Sequence, residues 1–250
     1  MRMIRLYISE STPPFTAGLI FPLNIDQGRY LTSVMRQEAG DAVSIFNGRD
    51  GEWTAVINEA GKRHVTLKLT EQTKAQPKST GPVLAVALIK RSPLEYIIEK
   101  ATELGASRIQ LLMTRRTQSD HVKLERLKII AQEAAEQTER LDVPEILPPV
   151  KLDAFLVEPG VEVVIFGDED STHEGEDRRT KSLLDVLSTL TGKRAAILIG
   201  PEGGFDDHER QTLRGMENVY PVNLGPRILR ADTASISALT LYQATLGDWT

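Results

Sequence analysis

The chain has 250 residues, 40% hydrophobic and 26% charged, with a net charge of −5, which is the make-up of a soluble globular protein of one large or two modest domains. It has no cysteine, which excludes disulfides, thiolate catalysis and cysteine zinc sites, and its histidines, His64, His121, His173 and His208, match no metal spacing. The start MRMIRLYISE has no apolar core of a signal peptide and no apolar run reaches the about 18 residues of a membrane span, so a cytoplasmic protein without a metal is expected.

Residues 1–80 carry ten Lys and Arg against eight Asp and Glu, while the remainder is acidic. Arg5–Glu10 alternates and reads as a strand. Gln27–Gln37 reads as a short helix ending near Gly40. Ala42–Asn47, Glu52–Ile57 and His64–Thr70 follow as short alternating strands separated by glycine-containing turns, the pattern of a small β-barrel. Arg2, Arg5, Arg29, Arg36, Arg49, Lys62 and Arg63 are spread over it. Such cations suit phosphate contacts, and they equally keep a surface soluble. Gln72–Pro82, QTKAQPKSTGP, reads as a linker, which gives domains 1–72 and 83–250 with 73–82 between them.

The second domain alternates strands and helices. Val83–Ile89 is a continuous apolar strand, as in a sheet covered on both faces. Ser92 is the expected N-cap of the next helix, with Pro93 at its first position and Glu95 completing a capping box; Gly105 ends it. Ile109–Met113 is a strand, and Lys123–Leu141 a long helix stopped before Pro144. Val161–Phe166 is a strand leading into the acidic run Asp168–Asp177. Ser182–Leu190 is a helix and Ala195–Ile199 a strand; Asp206 and Glu209 form a capping box with Phe205 as hydrophobic staple. Val219–Leu224 is the last strand and Ala231–Leu246 the last helix. Strand–helix alternation implies a mostly parallel sheet, an α/β fold.

Two strands break at a Gly-Pro pair, AAILIGPEGG at Gly200-Pro201 and VNLGPRILRAD at Gly225-Pro226. Loops of this kind at the carboxyl ends of parallel strands leave backbone groups free for a ligand, where open α/β sheets bind them. Neither is a dinucleotide or phosphate loop, and Glu202 puts a negative charge where a phosphate cradle wants none. A phosphate hydrolase would need such a loop or metal-binding carboxylates, for which only the run from Asp168 to Asp170 offers itself.

IGPEGGF, followed by LGPRILR-x-[DE]-T-A and preceded by IEKATELGAS at Ile98–Ser107 and EAAEQTERLDVPEI at Glu133–Ile146, resembles the ribosomal RNA small subunit methyltransferase E family of the SPOUT methyltransferases nearly end to end. The resemblance implies a PUA-like N-terminal barrel and a C-terminal α/β domain with a trefoil knot. It implies S-adenosylmethionine as cofactor, small-subunit rRNA as substrate, methylation of N3 of one uridine near the decoding centre, and a homodimer in which Arg140 or Arg230 reaches the other subunit's site. It places the cofactor on Ile199, Gly200, Gly203, Gly204, Leu224, Gly225, Ile228 and Leu229; Phe166 and Gly167, at the end of a neighbouring strand, can close the pocket or form a plain strand end. It points to Arg5, Arg36 and Asn47 for RNA, and Lys90 and Arg91 follow a strand where they can touch phosphate.

Uridine N3 carries a proton, so its methylation calls for a base near N3 and a cation near a carbonyl oxygen. Arg230 suits the cation, being permanently charged. Asp232 suits the base or, alternatively, the N-cap of the last helix. The family more often has Thr-Glu where this chain has Ala231-Asp232. An rRNA-binding assembly factor without methyl transfer is the alternative function; intact glycine loops argue against it.

Overall fold

The computed structural model describes residues 3–8, 12–61, 64–117, 121–168 and 181–249. Arg2, Lys62, Arg63, His173 and the acidic run beyond Asp168 lie outside them. Contacts divide the chain into two units, Met1–Ser79 with Ala135–Val143, and Thr80–Ala134 with Pro144–Thr250.

The first unit carries β1 (Arg5–Tyr7), β2 (Ile20–Pro22), α1 (Ile25–Arg29), a π-helical turn (Tyr30–Val34), β3 (Ala42–Phe46), β4 (Glu52–Ala60) and β5 (Val65–Lys74). The sheet order is β1-β3-β4-β5-β2, with β1 parallel to β3 and the other pairs antiparallel. Along β3, Val43 and Ile45 enter a core shared with Leu6, Leu31, Ile57 and Leu67. Phe46 joins Ala135 and Leu141 in a second, smaller cluster. Alternation thus gives β3 two apolar faces, and the segment 135–143 covers Phe46. The expected helix over Gln27–Gln37 is α1, capped by Asn24, followed by the π turn, in which Met35 N–H donates to Tyr30 O at 2.9 Å. Strand β2 is invisible in the sequence because three residues are too few to show a period.

The second unit carries β6 (Val83–Ala87), α2 (Arg91–Glu103), β7 (Arg108–Met113), α3 (Leu124–Gln137, its last turn counted with the first unit), β8 (Glu145–Lys151), α4 (Leu152–Val157), β9 (Val163–Gly167), β10 (Lys181–Ser182), α5 (Leu183–Leu187), β11 (Ala195–Ile199), α6 (Asp207–Gly215), β12 (Val219–Asn223) and α7 (Ala231–Thr245). All seven strands pair parallel, in the order β10-β12-β9-β11-β6-β7-β8. One core takes Ala85, Val164, Ala196 and Leu198 with Phe155 and Leu156 of α4 and Leu213 of α6. The alternating partners Leu84, Val86, Ile165 and Ile197 are buried as well, as a parallel sheet covered on both faces requires. Helix α7 packs on β11, α2 and α5.

In this unit two sequence expectations are corrected, and strands β8 and β10 and helix α4 are added. Helix α2 starts at Arg91 with Lys90 in the cap position and no side-chain cap bond; Pro93 sits within the first turn, where its missing N–H has no intrahelical partner to lose, and Glu95 pairs with Arg91 at 2.7 Å instead of closing a box. Helix α3 stops at Gln137, short of Leu141, because Glu139 adopts a left-handed φ of 64°, a turn-ending conformation normally given to glycine. Strand β8 contains Pro148 and Pro149, which hide it in the sequence; it is an edge strand, where proline is tolerated.

Candidate active site

A parallel sheet puts the carboxyl ends of all its strands on one edge. There the order β12-β9-β11 separates the two Gly-Pro loops by a single strand, so the end of β9 lies between them. Together they enclose a cavity of about 810 Å³. Gly167 and Asp168 of β9, the 199–205 stretch after β11 and the 222–231 stretch after β12 contribute its walls.

The first loop is shaped by glycine. Gly204, with φ +66°, donates its N–H to Pro201 O at 2.8 Å. A Cβ on Gly200 would stand 3.0 Å from the Phe205 ring, so Phe205 packs directly on that backbone. The Phe205 ring in turn meets Phe166 edge-on, 5.9 Å between centroids. In the second loop Gly225 has φ +106° with open space where a side chain would be; glycine is needed there for its conformation, not for room.

Of the ten residues expected around the cofactor, Gly167, Ile199, Gly200, Gly204, Leu224, Gly225, Ile228 and Leu229 line the cavity. Phe166 does not: it is fully buried in the core, since alternation along β9 turns it away. Gly203 does not line it either, and its carbonyl accepts from Arg116 Nη1 at 2.7 Å. Arg230 lines the cavity and occupies the N-cap position of α7 without a side-chain cap bond. Asp232 lies in the first turn of α7, is not the N-cap, and accepts from its neighbour Thr233, N–H at 2.6 Å and Oγ1 at 3.2 Å.

Three features at this edge escape a reading of the sequence. Asp168 also lines the cavity, is almost wholly buried, and pairs with Arg210 at 3.2 Å and with Arg214 Nε at 2.8 Å; its own N–H donates to Val222 O at 2.9 Å. One residue thereby ties β9, β12 and α6 together, and only the sheet order brings its partners near. Asn223 and Arg227 complete the second loop's lining. The loop after β7 reaches the first Gly-Pro loop: Arg115 N–H donates to Glu209 Oε1 at 2.8 Å and its guanidinium pairs with Asp206 at 3.3 Å. The capping box expected at Asp206 and Glu209 is present. The Glu209 N–H, and beyond it the Arg115 charge, hold the Asp206 carboxyl below its usual range. Among the described residues no group of three or more acidic or histidine side chains is arranged for a metal, and no helix is long and apolar enough to cross a membrane.

Of the residues expected to meet RNA, Arg36, Lys90 and Arg91 are exposed. Arg5 and Asn47 are not available to it. Arg5 is 9% exposed; its Nε donates to Glu52 at 2.7 Å and its terminal nitrogens to the carbonyls of Ala135, Glu136 and Arg140 at 3.0–3.1 Å. Asn47 is fully buried and builds the turn after β3. Arg and Asn at a strand's ends look alike in sequence whether they face inward or outward.

Residues 76–243 match the family described as an RNA methyltransferase domain, and residues 23–70 the RNA methyltransferase PUA domain. Two proteins named ribosomal RNA small subunit methyltransferase E are similar to the chain. That of Rickettsia conorii is 37% identical over 84% of this chain and 83% of its own length; that of Synechocystis sp. is 36% identical over 90% and 73%. A protein of Legionella pneumophila, solved with the cofactor SAM bound, superposes with a TM-score of 0.85 at 30% identity over 98% of both chains. With a PUA-type unit ahead of a parallel α/β unit and two glycine loops around one cavity, the chain belongs to the ribosomal RNA small subunit methyltransferase E family of RNA methyltransferases.

Proposed function

We propose that the chain transfers a methyl group from S-adenosylmethionine to N3 of one uridine of small-subunit rRNA near the decoding centre. The observation that carries this reading is the cavity that the Gly200-Pro201 and Gly225-Pro226 loops share, with Arg230 on its wall. Its volume is in the range of about 300–1,000 Å³ usual for small-molecule sites. Its walls include glycine backbone and apolar side chains such as Ile199, Leu224 and Leu229, beside charged groups such as Glu202 and Arg230; the apolar part suits an adenine and a ribose. The Legionella protein, 30% identical, holds SAM in the same fold.

Bound in this cavity, the cofactor supplies an electrophilic methyl group. The residues then have to orient the uracil and handle one proton. As N3 gains its methyl it loses its hydrogen, and the charge that builds up on the uracil falls on O2 and O4. Arg230 holds one of these oxygens and stabilises that charge. Asp232 accepts the N3 proton through Oδ2, its Oδ1 being engaged by Thr233. Arg36, Lys90 and Arg91 contact the RNA backbone. We also propose the trefoil knot and the homodimer. β12 lies between β9 and β10, which are consecutive in the chain, the arrangement a threaded chain end needs. Of the two arginines expected to reach across a dimer, Arg140 is held by Asp142 at 2.8 Å while Arg230 is exposed, which favours Arg230.

The test is methyl transfer from labelled S-adenosylmethionine to small ribosomal subunits lacking the modification, with naked rRNA in parallel and the product mapped by mass spectrometry. Methyl on uridine N3 at one site is expected. Arg230→Ala should lower the rate by about 10²–10³-fold and Asp232→Asn by about 10²–10⁴-fold. A wild-type rate in Asp232→Asn removes Asp232 as the base. Methyl on another base replaces the substrate, and subunit binding without transfer makes the chain an assembly factor.

A further inference from the structure

The loop after β7 carries two arginines in different states. Arg115 is neutralised by Asp206. Arg116, next to it and exposed, donates to the Gly203 carbonyl at 2.7 Å, and its stem runs 3.6–3.7 Å from where a Gly203 side chain would begin. A carbonyl oxygen fixes a guanidinium without cancelling its charge, and four of its five N–H donors remain. The loop itself is held on both sides. Thr114 N–H donates to Thr117 Oγ1 at 2.9 Å, Thr117 N–H to Thr114 O at 3.2 Å, and Arg115 N–H to the buried Glu209 carboxylate at 2.8 Å. Arg116 is therefore a preorganised cation with no carboxylate partner among the described residues.

Its place gives it meaning. The Gly203 carbonyl belongs to the loop whose other residues, Gly200, Glu202 and Gly204, line the cavity. Arg227 and Arg230 line that cavity from the second loop and likewise have no carboxylate partner among the described residues. Other arginines of this edge, Arg91, Arg210 and Arg214, are balanced by Glu95 and Asp168. Among the described residues, three guanidiniums without a carboxylate partner thus stand around one cavity of a protein of net charge −5, and the planar fork of arginine matches phosphate oxygens. We propose that Arg116 binds a backbone phosphate of the RNA substrate beside the first Gly-Pro loop and thereby fixes the register of the target nucleotide over the cavity. The proposal rests on the RNA-methyltransferase reading above. The competing anion is the carboxylate of the cofactor.

The test measures two affinities on the full-length chain. Binding of unmodified small ribosomal subunits is followed across a salt series, and S-adenosylmethionine binding by calorimetry. Arg116→Ala should weaken subunit binding about tenfold, lower the slope of log K against log salt by about 1, and leave cofactor affinity unchanged. Arg116→Lys should retain the slope while losing part of the affinity, which also covers the case in which the alanine variant is unstable. Weakened cofactor binding with unaltered subunit binding and salt slope would overturn the proposal and make Arg116 a brace or a carboxylate ligand; no change in either would make it a solvated surface residue. If the wild type binds subunits with this Arg116 dependence yet transfers no methyl, the phosphate site stands and the methyl-transfer reading fails. Transfer that is indifferent to Arg116 gives the converse.

Discussion

Asn47 closes the turn after β3 with its own side chain. Its Oδ1 accepts from the N–H groups of Arg49 and Asp50 at 3.0 and 2.8 Å, and its Nδ2 donates to Asp50 Oδ2 at 2.8 Å. That carboxylate also receives Phe15 N–H at 3.0 Å and the Arg49 guanidinium at 2.8 Å. Asn47→Ala leaves two backbone donors without acceptors, so a loss of about 1–3 kcal/mol in denaturant unfolding is expected, larger than for a surface contact to RNA. The Arg49 hydrogen bond, followed by those of Asn47 and Phe15, holds the Asp50 carboxyl far below its usual range despite partial burial. A depressed carboxyl stabilises the fold above its unfolded pKa of about 3.9 and loses that contribution as pH falls toward the folded value. The stability gap between the wild type and Asp50→Asn should therefore be widest near neutrality and narrow on going to about pH 3; a gap that widens with acid would contradict this. Asn47 and Arg5 point toward RNA in the sequence and inward in the structure for one reason: a polar residue at the end of a barrel strand carries no mark of the direction in which it faces.

At the scale of elements, the two Gly-Pro loops follow different rules, which makes them separable by mutation. Gly225 needs φ +106° and has nothing within 4 Å of the position a methyl group would take, whereas Gly215, at the end of α6, has both open space and an ordinary φ. Gly225→Ala should cost about 1 kcal/mol or more through backbone strain and weaken S-adenosylmethionine binding, because relieving the strain moves the 224–230 loop. Gly215→Ala should lie within about 0.5 kcal/mol of wild type with cofactor affinity intact. Thermal melts and calorimetry on the pair check this; equal effects of the two substitutions would remove the conformational role of Gly225. The sequence is most legible where local chemistry decides the outcome: the Asp206–Glu209 box, the Gly105 stop with φ +75° and the two glycine loops all appear as read. It is least legible where a residue acts against type. Glu139 takes a glycine conformation, Lys90 stands in a cap position without a capping side chain, and β10 has only two residues.

At the scale of the whole molecule, the parallel sheet explains why loops far apart in sequence share an edge, and this much follows from strand–helix alternation alone. The strand order does not, and with it go the partners of Asp168 and the approach of Arg115 and Arg116 to the first Gly-Pro loop. Nor does sequence reveal that the barrel unit is discontinuous. The linker reading puts its end near residue 72, whereas the contacts count residues up to Ser79 and then Ala135–Val143 with it. That second segment does chemical work inside the unit. Ala135 and Leu141 cover Phe46, Glu136 accepts Tyr7 N–H at 2.9 Å, and three of its carbonyls receive the Arg5 guanidinium. Burial raises the Glu52 carboxyl, and the Arg5 hydrogen bond with its partners outweighs that and lowers it. Without residues 135–143 the pair keeps its mutual contact but Arg5 loses its other acceptors and Phe46 its cover. A fragment of residues 1–79 should therefore fail to show a cooperative denaturant transition. The same fragment with 135–143 joined by a flexible linker should recover one, and Arg5→Ala in that fusion should remove about 1.5–3 kcal/mol, because Glu52 loses its buried partner and keeps only the half-exposed Lys74 at 3.3 Å. Cooperative unfolding of 1–79 alone, at the midpoint of the fusion, would show that the barrel does not depend on the distant segment.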